Sequence, residues 1–134
     1  MNRLEPYDPF FIEDPIAPDC PDSLRYVREK TTVPIAFGEL YKSRWECLPA
    51  ISNHWIDYIR CDVIRIGGIT EARKIAALAE TYDIKTAWHG PNDVSPITHA
   101  VNWHLNVSEY NFGIQEDGTA DSLIKQVVSG GPSY

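Results

Sequence analysis

Five short apolar runs in this chain each end on an ionisable side chain, and they recur at a nearly constant interval. Phe10-Phe11-Ile12 leads to Glu13, and Ala36-Phe37-Gly38 to Glu39. Tyr58-Ile59-Arg60-Cys61 leads to Asp62, and Lys85-Thr86-Ala87-Trp88 to His89. Asn111-Phe112-Gly113-Ile114-Gln115 leads to Glu116. The steps between these end residues are 26, 23, 27 and 27 positions. Such runs are too short for helices and read as buried strands. The interval is that of one strand-plus-helix unit. The spacing therefore predicts an α/β chain, a partial (β/α) TIM barrel of about five consecutive units. Its chemistry is expected at the C-terminal rim of the strands.

The length limits how much barrel is present. A closed eight-unit barrel takes roughly 200 to 250 residues, whereas this chain has 134. Five units use nearly all of it, so residues 1–134 are expected to be one partial barrel domain, a fragment of a larger barrel or a truncated product. The net charge is −7, which argues against nucleic acid or an anionic membrane surface as partner, since both need a basic footprint. No apolar run approaches the ~20 residues of a membrane span. The residues after Met1 show no apolar signal-peptide core. Cys20, Cys47 and Cys61 form no C-x-x-C pair. They read as free thiols in a reducing compartment, which makes a cytoplasmic location the expectation.

Between the strands the helices are legible. Pro15, Pro18 and Pro21 make a rigid loop, and Asp22 or Ser23 is placed to cap a helix over 24–30. Leu24, Val27 and Tyr26 are assigned to its buried side. Ser43 and Glu46 have capping-box spacing for a helix to about Ser52, with Pro49 expected to kink or stop it. The third strand is expected over 58–64. Thr70 is taken as the cap of a helix over 71–82, in which Ala72, Ile75, Ala76 and Ala79 give a small-residue buried face. The fourth strand is placed at 84–88, and Ser95-Pro96 starts a helix to about Val107. A fifth strand is placed at 112–115, and the tail 129–134 is rich in Gly and Pro.

Glu13 and Glu39 fall on neighbouring strand ends, about 4.8 Å apart in a parallel sheet. Two carboxylates so close repel unless a cation lies between them, and Mg²⁺ is held by a few carboxylates with waters and substrate oxygens. Pairing with Lys42, Arg44 or Arg65 accounts for the same residues. Asp62 and His89 are one step apart around the rim. A carboxylate beside an imidazole fixes its tautomer and raises its basicity, which suits an acid/base pair. An ordinary rim ion pair is the simpler account of that spacing alone. Glu116 is placed to meet a substrate hydroxyl or to hold a nearby Lys or Arg. Trp45, Trp55 and Trp103 are assigned to packing. His99 and His104 are five residues apart and do not share a helix face.

Taken in order, several motifs carry a family likeness. They are Phe11-Ile12-Glu13-Asp14-Pro15, Gly38-Glu39, the run from Asp62 to Thr70, and His89-Gly90-Pro91-Asn92-Asp93-Val94-Ser95-Pro96. Together they resemble the C-terminal barrel of the enolase superfamily, mandelate racemase/muconate lactonizing type. The 89–96 run with Asn-Phe-Gly-Ile-Gln-Glu at 111–116 is similar to the D-mannonate dehydratase group, which includes starvation-sensing and D-gluconate dehydratase-like proteins. The likeness covers about residues 5–117.

The resemblance implies strands four to eight of that barrel. It implies Glu13 and Glu39 as Mg²⁺ ligands and His89 as the acid/base histidine. Asp62 would support His89, and Glu116 would be the last strand's carboxylate near the substrate. Trp88 and Asp93 would line the substrate pocket. The implied reaction is dehydration of a small-molecule sugar acid, D-mannonate or D-gluconate, by proton abstraction α to a carboxylate and loss of water. A homo-oligomer is implied for the full-length parent. The first metal ligand, the second-strand bases and the N-terminal capping domain of the family have no counterpart in this chain. The isolated chain is therefore expected to be inactive. The alternative is a truncated, non-catalytic binding or regulatory protein.

Overall fold

The structure, a computed structural model, describes residues 3–118; the expected tail at 129–134 lies outside them. Strands and helices alternate: β1 (Ile12–Glu13), α1 (Pro21–Lys30), β2 (Ile35–Phe37), α2 (Arg44–Ser52), β3 (Tyr58–Ile59), α3 (Ile69–Thr81), β4 (Lys85–Thr86) and α4 (Pro96–Ser108). A 3₁₀ turn at Glu5–Tyr7 precedes them. The four strands form one parallel sheet in the order β1-β2-β3-β4. Sequence neighbours pair throughout, as the repeat predicts. The register pairs Glu13 with Ala36, Phe37 with Ile59 and Ile59 with Thr86.

The regular strands are shorter than predicted, because parallel pairing lasts only two or three residues before each chain turns. Residues 63–67 are turn rather than strand. Single backbone bonds nonetheless carry the parallel alignment to the rim. Asp14 N–H reaches Ala36 O at 3.0 Å, and His89 N–H reaches Cys61 O at 3.0 Å. The fifth strand is reduced to one parallel bridge, Thr86 with Phe112.

Helix ends follow the sequence in part. Ser43 accepts from Glu46 N–H at 3.3 Å, while the Glu46 carboxylate returns to Lys42 N–H, one residue earlier than in the standard box. Ser95 accepts from Ile97 N–H with Pro96 at the first helical position. Pro49 does not stop α2, which runs on to Ser52. Thr70 is not a cap, since α3 begins at Ile69 after Gly68. Helix α1 starts at Pro21 with Cys20 before it, and no side chain caps it.

The core lies between sheet and helices. Ile35, Phe37, Ile59, Ile75, Ala76, Ala79 and Ile84 are buried together, with Leu24 from α1 and Leu105 from α4. All four residues expected on the α3 face are buried. Each large aliphatic side chain buried this fully contributes about 1.5–3 kcal/mol. Tyr26 and Trp45, assigned to packing from sequence, are 62% and 68% exposed. The Trp45 ring instead lies 4.9 Å from the Arg44 guanidinium. Among the described residues, no helix is long and apolar enough to cross a membrane.

Candidate active site at the strand ends

Residues leaving parallel strands at the same end meet without needing a long side chain. Glu13 ends β1, Asp14 follows it, and Glu39 lies two residues beyond β2. One carboxylate oxygen from each of these three residues lies within 4.8 Å of the others. Asp14 has φ of 38°, a left-handed conformation that Asp tolerates. Its Oδ1 accepts from Gly38 N–H at 3.1 Å. Its Oδ2 is buried with no hydrogen-bond partner among the described residues. Burial is the main cause that raises the Asp14 pKa to about 6, helped by Glu39 and Glu13 and opposed by Gly38 N–H and Arg60. Oxygen-only donors, three close carboxylates and one orphaned oxygen fit a hard divalent cation such as Mg²⁺. Sequence reading named Glu13 and Glu39 here and missed Asp14.

His89 joins this acidic group to the next one. Its Nδ1 lies 3.2 Å from Asp62 Oδ2, and its Nε2 lies 3.2 Å from Glu39 Oε2. Only an imidazolium donates from both nitrogens. Burial pulls the His89 pKa down and Arg60 adds to this, but Asp62, Glu39 and Glu116 prevail and raise it. Asp62 is itself buried, which pushes its pKa up. Hydrogen bonds from His89 and from the Ile64 and Arg65 amides outweigh that, and the pKa is lowered.

Arg60 is the cation that sequence reading missed. It is 3% exposed. Its Nη2 lies 2.8 Å from Glu13 Oε1 and 2.7 Å from Glu116 Oε2. The three cations proposed from sequence are engaged elsewhere or not at all with this group. Arg44 pairs with Glu71 and Arg65 with Asp62, and Lys42 is exposed. The available signal was a charged residue inside an apolar strand run, which calls for a buried partner. Glu116 also accepts from Gly90 N–H at 2.8 Å. Burial raises its pKa, but that bond, Arg60 and His89 bring it below the ordinary value.

Two of the residues assigned from sequence are not brought into this cluster. Trp88 is fully buried, and its indole Nε1–H donates to Glu109 at 3.0 Å. Adjacent residues in extended backbone point to opposite faces, so Trp88 faces the helices while His89 faces the rim. Asp93 is exposed on the loop after Pro91, and among the described residues the cluster's hydrogen bonds and ion pairs do not include it. A hollow of about 340 Å³ between the β1–α1 and β2–α2 loops is lined by Pro18, Leu40, Tyr41 and Trp55 and contains none of the rim carboxylates.

The chain as a whole has known relatives. The family model described as enolase C-terminal domain-like matches residues 1–133. The chain belongs to the enolase C-terminal domain-like family. Its parallel sheet and helices are thus part of an enolase-type barrel, as the rim motifs imply. A D-galactonate dehydratase family member from Musicola paradisiaca is 47% identical over 131 residues, covering 98% of this enolase-family chain and 31% of that protein. A D-mannonate dehydratase from a Sphingomonas species is 47% identical over 113 residues, 84% of this chain and 28% of that one. A solved enolase from Pantoea ananatis with bound D-gluconate and Mg superposes with a TM-score of 0.87 at 48% identity, over 92% of this chain and 30% of that one. The enolase-family chain described here therefore spans about a third of the length of the relatives it matches.

Proposed function

We propose that this chain supplies the metal-binding and acid/base rim of a sugar-acid dehydratase, acting on D-mannonate or D-gluconate. The observation that carries the reading is His89 held between Asp62 and Glu39, with Glu13 and Asp14 beside Glu39. Relatives named as D-galactonate and D-mannonate dehydratases, and the neighbour crystallised with D-gluconate and Mg, support it.

In this reading Glu13 and Glu39 hold Mg²⁺, and Asp14 adds the third nearby carboxylate. When bound there, Mg²⁺ supplies electrostatic stabilisation of the negative charge that grows on a substrate carboxylate as its α proton leaves. His89 carries a proton on Nε2 and gives it to the departing β-hydroxyl, which leaves as water. Asp62 accepts from Nδ1–H, so the ring is held with Nε2 toward Glu39. Glu116, held in place by the buried Arg60, meets a substrate hydroxyl. The α proton passes to a base that the rest of the full-length protein would supply. The whole protein is a homo-oligomer that works in the cytoplasm, and residues 1–134 are its partial barrel domain.

A non-catalytic role has one observation in its favour. Arg60 already neutralises Glu13, so part of the acidic group is balanced without a divalent ion. A chimera separates the readings. This chain replaces the matching segment of the Sphingomonas D-mannonate dehydratase, and mass spectrometry follows loss of water from a panel of sugar acids. Turnover by the chimera, lost in its His89→Gln version, is the expected result. A folded chimera that dehydrates none of the panel contradicts the catalytic reading.

A further inference from the structure

The segment Trp88–Pro91, which carries His89, has each of its four carbonyls engaged. Trp88 O accepts from Gln115 Nε2 at 3.0 Å, and His89 O from Asn102 Nδ2 at 3.0 Å. Gly90 O accepts from Gly118 N–H at 2.8 Å, and Pro91 O from His99 Nε2 at 3.1 Å. Three of those four donors are side chains. Two of them, His99 and Asn102, come from the inward face of α4, one turn apart, and are 1% and 0% exposed. Asn106, one turn further along, donates to Gln115 Oε1 at 2.7 Å and so fixes the third.

A buried polar helix face is an expensive way to fill space. Asn102 Oδ1, His99 Nδ1 and Asn106 Oδ1 are all buried without a partner among the described residues, and each such atom forfeits its bonds to water. An aliphatic side chain packs such a position without that cost. What the polar face achieves is a fixed backbone. Rotation of the His89 peptide would break the Asn102 bond on one side and the Gly90 N–H to Glu116 bond on the other.

We propose that Asn102 is a positioning residue for His89: its amide holds the His89 carbonyl, and Gln115 holds the preceding one. Together they aim the imidazole at Asp62 and Glu39. The inference rests on His89 being the acid/base group, so the test reads His89 and the metal site separately. Histidine-labelled protein is compared by NMR as wild type, Asn102→Leu and Gln115→Met. The His89 signals are assigned with His89→Gln, and His54, which is exposed, is the internal reference. Cooperative unfolding of each variant shows that it is folded.

The expected result is loss of the His89 Nδ1–H signal shared with Asp62 in Asn102→Leu, with His54 unmoved. A smaller displacement is expected in Gln115→Met. A merely structural role lowers the unfolding midpoint and leaves the His89 signals in place, which overturns the proposal whatever a Mg²⁺ titration gives. If Asn102→Leu does not fold, unmoved His89 signals in Gln115→Met overturn it. Displaced His89 signals in a chain that binds no Mg²⁺ support the positioning and refute only the catalytic reading beneath it.

Discussion

The Arg60 guanidinium and the Glu13 carboxylate meet at 2.8 Å, although one follows β3 and the other ends β1, with β2 between them. Arg60 also reaches Glu116 at 2.7 Å, so one buried cation ties the first strand end to the last.

That shared cation makes the two carboxylates non-additive. Each is about two-fifths exposed, so Glu13→Gln or Glu116→Gln alone is expected to cost about 1 kcal/mol or less. The double variant leaves a guanidinium that is 3% exposed with neither carboxylate, and is expected to cost about 3–5 kcal/mol. Urea unfolding of the four proteins gives the coupling. A double variant equal to the sum of the singles contradicts the bridging role.

Glu109 is expected to make stability depend on pH in the unusual direction for a carboxylate. Burial raises its pKa, against the bond from the Trp88 indole, the nearby Thr86 hydroxyl and the charge of Arg73. A raised folded pKa gives stability that is full below the unfolded value of about 4.3 and is lost as pH rises through the folded value. Glu109→Gln keeps an acceptor for the Trp88 indole and removes the titration. Its thermal midpoint is expected above wild type at pH 7, with the gap closing toward pH 4. Asp62 acts the other way. Its lowered pKa gives stability present above about 3.9 and lost as pH falls through the folded value. Asp62→Asn is therefore expected to flatten the acid side of the same curve.

Gly90 is a position where close approach requires the absence of a side chain. A Cβ there would lie 2.3 Å from the Glu116 carbonyl oxygen and 2.8 Å from Gln115 Nε2. The first is backbone and cannot swing away. Gly90→Ala is expected to destabilise by about 3 kcal/mol, at the upper end of overpacking costs. Urea unfolding checks this, and a variant as stable as wild type would show that the last segment moves freely past the His89 loop.

How much of this was legible depended on range. The α3 face of Ala72, Ile75, Ala76 and Ala79 and the Ser43 and Ser95 caps are local patterns and stand in the structure as read, while the strand-end repeat keeps its order with the fifth strand reduced to one bridge. Arg60 and Glu116 are 56 positions apart, and nothing in the spacing of either points to the other. Asn102 and His99 look like ordinary polar helix residues until the 88–91 segment is packed against them. The burial of Trp88 was available from parity: an extended chain that points His89 to the rim points Trp88 away. The strands were read too long because apolar character continues into the turn at 63–67, where Val63 and Ile66 are buried without being paired in the sheet.

The strand-end carboxylates are proposed to form a cation site, and calorimetric titration of Mg²⁺ tests this most directly. Wild type is compared with Glu13→Gln and Glu39→Gln, each shown to be folded. Saturable binding by the wild type, abolished in both variants, is the expected result. No saturable binding by the folded wild-type chain, or equal binding by all three proteins, would contradict it.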